Sequence, residues 1–80
     1  MIGTDQALIE ANLRLADSHI ELGQHHVAQQ RESIDKLRHD GHSTAIANSL
    51  LLTLENTLAA HVADRDRLRA ELAEFESKRP

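Results

Sequence analysis

Six histidines stand among 13 carboxylate side chains in this chain. Imidazole and carboxylate are the groups that hold first-row metal ions and pass protons near neutral pH. Helical metal sites set such ligands at i, i+3 or i+4 on facing helices. Glu21 and His25 have the i, i+4 spacing, and His61 and Asp64 have i, i+3. No HExxH or repeated ExxH pattern joins them, so no dedicated metal motif is present. The candidate ligands are His19, His61 and Asp64, because folding the chain back on itself brings His19 toward His61. The plainer reading makes His61 a polar interruption of an apolar seam, with its ring nitrogens bonded to side chains or water. It places His19 and His26 at an interface. On that reading no metal and no other cofactor is expected.

Other chemistry finds less support. Ser33, Ser43 and Ser49 have no histidine–carboxylate constellation and no nucleophile elbow around them. Arg65 lacks the Gly-rich loop that would make it a phosphate ligand. A hairpin of this size has no room for an enclosed pocket. The chain therefore reads as a non-enzymatic protein.

The elements that carry these residues follow from a seven-residue apolar repeat. Leu13, Ile20, Val27 and Ile34 fall one heptad apart and define position a of a first helix. Its position d holds Ile9, Ala16, Gly23, Gln30 and Leu37. Thr4 is the expected N-cap, with Asp5 in the first turn, so helix 1 is predicted over about 5–39. The segment Asp40-Gly41-His42-Ser43 breaks the pattern. Gly41 suits the left-handed residue that ends a helix, and Ser43 can cap the next, with Thr44 as the alternative. Helix 2 is predicted over about 44–77. It carries Leu51, Leu58, Arg65 and Leu72 at position a, and Ala47, Leu54, His61, Leu68 and Phe75 at d. Lys78 and Arg79 follow where a helix C-terminus favours cations, and Pro80 is expected to fray.

Folding at Gly41 sets facing residues whose numbers total about 81 or 82. Gly23 then faces Leu58, Ala16 faces Arg65, Val27 faces Leu54, Leu13 faces Leu68 and Ile20 faces His61. Small residues oppose large ones, as close antiparallel packing requires. Arg65 can lay its alkyl stem over Ala16, with Asp17 as the expected charge partner. The run from Asp64 to Arg69 reads as a solvated face with i, i+4 pairs, including Arg67 with Glu71.

Leu8, Leu15 and Leu22 form a second heptad row on helix 1, at position c, about 160° from position a of the seam. Asn12, His19 and His26 lie between the two rows, at position g. Helix 2 also carries Ile46, Leu50, Leu52, Ala59, Ala60 and Val62 off its seam. A lone hairpin would leave these exposed, and such patches mark interaction surfaces. A second copy of the hairpin covers them most simply, giving a four-helix bundle. The expected interface is Leu8, Leu15, His19, Leu22, His26, Leu50 and Val62. A heterologous partner helix in the same groove is the alternative occupant. Charging interface histidines would oppose their burial, so partial dissociation between about pH 7 and pH 5 is expected.

Composition narrows the partners. The net charge of −4 and a single aromatic residue, Phe75, speak against a phosphate-binding face and a base-stacking platform. Nucleic acid is therefore not an expected partner. A small RNA-binding hairpin dimer and a histidine–carboxylate metal bundle are the alternative functions. The absence of cysteine excludes a disulfide framework and fits a cytoplasmic protein. No apolar run is long enough for a membrane span, and the start of the chain lacks the pattern of a secretory signal.

Gln30-Arg31, Ile34, Leu37, Asp40-Gly41-His42, Thr44, Leu50-Leu51, Thr53-Leu54-Glu55, Leu58, His61, Arg65-Asp66 and Leu68 together form a recognisable pattern. It resembles a group of short uncharacterised alphaproteobacterial proteins expected to be helical hairpins with a DGH turn. The resemblance spans residues 19–72. It implies a self-contained bacterial hairpin and no assigned activity. Ile46 departs from the capping-box acid expected three residues after Ser43. The sequence thus predicts an all-α, coiled-coil-like antiparallel hairpin spanning 1–80, paired into a dimeric four-helix bundle that serves as an interaction or regulatory module.

Overall fold

The computed structural model describes residues 2–78. Two helices account for nearly all of them, α1 over Ile2–His39 and α2 over Ala45–Ser77. They pack against each other as an antiparallel hairpin, a rod of 64 × 15 × 14 Å. The described residues contain no strand.

The reversal is built from one glycine. Gly41 has φ of +76°, the left-handed region where a Cβ would be strained. Its N–H donates to the Arg38 carbonyl at 3.2 Å, and the His42 N–H donates to the Leu37 carbonyl at 2.9 Å. This pair of bonds is a Schellman motif, which satisfies the last carbonyls of α1. Asp40, His42 and Ser43 are exposed around it.

Two expected caps differ. α1 begins at Ile2, so Thr4 has helical backbone and is not the non-helical residue a cap must be. At the start of α2 the cap position falls to Thr44 rather than Ser43. Thr44 has φ −105° and ψ 6°, and its hydroxyl caps no backbone N–H. That hydroxyl instead accepts from the Asn48 amide at 3.1 Å, while Ser43 Oγ accepts from the Ala45 N–H at 3.4 Å. Thr44 lies too near helical geometry for its Oγ1 to swing back over the first turn. At the other end, the Lys78 N–H closes α2 on the Glu74 and Phe75 carbonyls. Arg79 and Pro80, assigned above to a cationic and fraying end, lie outside the described residues.

The core is a single file of side chains. Ala16, Ile20, Val27, Ile34 and Leu68 are buried, and all of them occupy a or d positions. Gly23 shows how tightly the file packs: a Cβ there would sit 3.1 Å from Leu58 Cδ1. Large apolar side chains remain outside the core, including Leu8, Leu15, Leu22, Ile46, Leu50 and Leu52. A seam one side chain wide is thin support for a chain of this length.

Candidate interface and histidine pair

Positions c and g of both helices meet on one face of the rod. On α1 these positions read Asp5, Leu8, Asn12, Leu15, His19, Leu22 and His26. Their spacing alternates three and four residues, so they form a second seam. That seam lies roughly 100° round α1 from the first, close to the right angle between a helix's two neighbours in a square bundle. Leu8, Leu15 and Leu22 are each more than half exposed along it. Leu50 of α2 lies on the same face, bordering a shallow groove with His26 and Ser33. Leu52, at 61% exposure, projects from the outer surface of α2 instead.

Two further grooves run along this face. One, of about 110 Å³, is bounded by His19, Leu22, His26, Thr57 and His61. The next, of about 130 Å³, is bounded by Asn12, Leu15, His19, Asp64 and Arg67. His19 borders both. Its ring meets that of His61 with centroids 4.9 Å apart and planes tilted by 47°. His19 is exposed and His61 half-buried, because His61 occupies a d position and His19 a flanking one.

The structure therefore brings together two of the three candidate ligands. The third, Asp64, is engaged elsewhere. Arg67 donates to Asp64 at 2.6 Å and to Glu71 at 2.8 Å. Asp64 first, and then Glu71, hold the Arg67 guanidinium above its ordinary pKa by accepting its hydrogen bonds. Among the described residues, no three His, Cys, Asp or Glu side chains of one chain gather into a metal-sized cluster. His25 contacts the ring of His26 at 6.3 Å between centroids, on the α1 side away from α2.

Of the interface residues expected from sequence, Leu8, Leu15, His19, Leu22, His26 and Leu50 share this face. Val62 is half-buried and sits at position e, on the opposite flank of the seam. The ion pair expected between Arg65 and Asp17 is replaced. Arg65 reaches Asp66 at 3.2 Å, since its stem lies in the seam and its guanidinium emerges on the α2 side. Two contacts between the helices were not anticipated. Gln30 Nε2 donates to the Ala47 carbonyl at 2.9 Å, and Arg31 pairs with Glu55 at 3.5 Å. A signal for the second was present: both residues occupy position e, and e positions oppose each other in an antiparallel pair.

The chain matches no family model, no curated protein and no solved structure. The geometry of the hairpin must therefore carry the functional argument. Among the described residues, no helix is long and apolar enough to cross a membrane.

Proposed function

We propose that this chain is a non-enzymatic interaction module that pairs with a second copy of itself into a four-helix bundle. The observation that carries the reading is the heptad row of Leu8, Leu15 and Leu22, more than half exposed and on the same face as Leu50. A row with coiled-coil spacing suits a helix, because only a helix presents side chains at a matching period. The second copy is the natural source of such helices, as its own leucines need the same cover. These leucines are already nearly half covered, so burying the rest of each contributes about half of the 1.5–3 kcal/mol of a fully exposed side chain. Three leucines from each copy supply the apolar area that offsets lost translational and rotational freedom and side-chain ordering. The module's remaining surface, with its mixed charges, is left to other partners. The resemblance to short alphaproteobacterial hairpin proteins belongs to the same reading and adds no activity to it.

Sedimentation equilibrium at neutral pH tests the proposal. The expected mass is twice that of the 8.9 kDa chain. A mass of one chain throughout the micromolar range would overturn it.

A further inference from the structure

The histidine pair occupies the middle of the rod. His61 is the central residue of α2, which runs from Ala45 to Ser77. His19 lies within two residues of the centre of α1, which runs from Ile2 to His39. Both border the face that carries Leu15 and Leu22.

A two-fold axis can stack that face on itself in two ways. With both turns at one end, α1 lies along the partner's α2. At the same facing totals, Asp5 lies between the partner's Glu74 and Lys78, Leu8 between the partner's Glu71 and Glu74, and Leu15 between the partner's Asp64 and Arg67. Asp5 is then left between charges of both signs, and His19 and His61 of both copies share one level, because an axis along the rod keeps each residue's height. With the turns at opposite ends, α1 lies antiparallel to the partner's α1. Asp5, in the first turn, then meets the partner's Lys36, in the last turn. Asn12 meets the partner's Gln29, and His19 meets the partner's Leu22. Opposite charges pair twice by symmetry, and these Asp5–Lys36 pairs favour the second arrangement, since the helix dipoles oppose in both.

In that arrangement the axis crosses the rod at mid-length. At 1.5 Å rise per residue, each His19 lies only about 2 Å along the rod from the axis, and each His61 closer still. One imidazole from each of four helices reaches a single level. We propose that these four side chains, His19 and His61 of each copy, form a binding site for one divalent transition-metal ion of the zinc class.

The geometry within one chain already fits. With Zn–N bonds of about 2.0–2.1 Å, two imidazoles on a tetrahedral ion have ring centres about 5 Å apart. The His19 and His61 centroids are 4.9 Å apart. Among the described residues, one chain brings two ligands together and no third. The site is thus incomplete without the partner copy. Four neutral nitrogen donors suit zinc, cobalt or nickel, and offer nothing to calcium or magnesium, which take oxygen ligands.

The inference rests on the dimer reading, and the test separates the two. The intact chain is stripped with a chelator and titrated with Zn²⁺ by calorimetry, with the mass measured by sedimentation alongside. Co²⁺ serves as a spectroscopic substitute. The expected result is one ion per two chains and the intense visible bands of four-coordinate Co²⁺. His19→Ala and His61→Ala should each abolish both. His25→Ala should leave them unchanged. A dimer that takes no ion, or takes one ion per chain equally well after His19→Ala, overturns the site and leaves the dimer standing. A chain that remains monomeric with and without Zn²⁺ overturns the site and the dimer together.

Discussion

Gly23 lies directly beneath Leu58, at a distance where a β-carbon would stand 3.1 Å from Leu58 Cδ1. The contact leaves little room for a side chain at this layer, and it explains a glycine in the middle of α1. Glycine there sacrifices about 1 kcal/mol of helix propensity relative to alanine. Close packing of Leu58 into the gap returns it. Gly23→Leu should force the helices apart and destabilise the fold by about 1–3 kcal/mol. Gly23→Ala needs only a few tenths of an ångström from a flexible leucine tip, so gain and loss should nearly cancel. Thermal melts at one fixed protein concentration would distinguish these outcomes.

Leu15 is at the centre of the exposed leucine row, and Leu52 is comparably exposed on another surface. Leu15→Glu should shift the sedimentation mass from dimer to monomer. Leu52→Glu should not, although it alters charge and hydropathy identically. Equal effects from both would show that the row has no special role.

Gly41 offers a test of the turn alone. Nothing lies within 4 Å of a Cβ built there, yet φ is +76°. Gly41→Ala should therefore cost the left-handed penalty of about 1–2 kcal/mol without any clash. Chemical denaturation should show a lower midpoint with an unchanged slope.

The exposed pair Arg31 and Glu55, at 3.5 Å, crosses between the helices near the turn. A double-mutant cycle to alanine should return a coupling of less than about 1 kcal/mol, falling further in high salt. Gln30→Ala should cost about 0.5–1.5 kcal/mol, since its bond to the Ala47 carbonyl is partly buried.

Metal binding should weaken on acidification, because a ligand imidazole must be neutral and protons compete with the ion for it. Co²⁺ absorbance followed from neutral to acid pH would check this, and a flat profile would count against the histidine layer.

The sequence by itself determined the hairpin. A heptad repeat gives each residue an angle on its own helix, so Ile20, Val27 and Ile34 had to share a stripe. A single glycine between two such repeats located the reversal, and chain continuity then aligned Gly23 with Leu58 and His19 near His61. Tertiary structure decided what lies beyond the seam. The choice of Asp66 over Asp17 by Arg65 depends on how its stem lies in the seam, whereas Arg67 with Asp64 is an i, i+3 pair within α2 that spacing alone permits. Val62 at position e and Leu50 at position g fall on opposite flanks by the heptad itself, so that placement was already legible. Local geometry at Thr44 decided the cap, because its ψ of 6° lies far from the extended backbone that lets a cap hydroxyl reach a backbone N–H. Periodicity along one helix specifies which face is apolar. Packing against the second helix specifies which polar atoms come within bonding distance across the seam, as Gln30 does with the Ala47 carbonyl, because those distances are sums of many small side-chain choices.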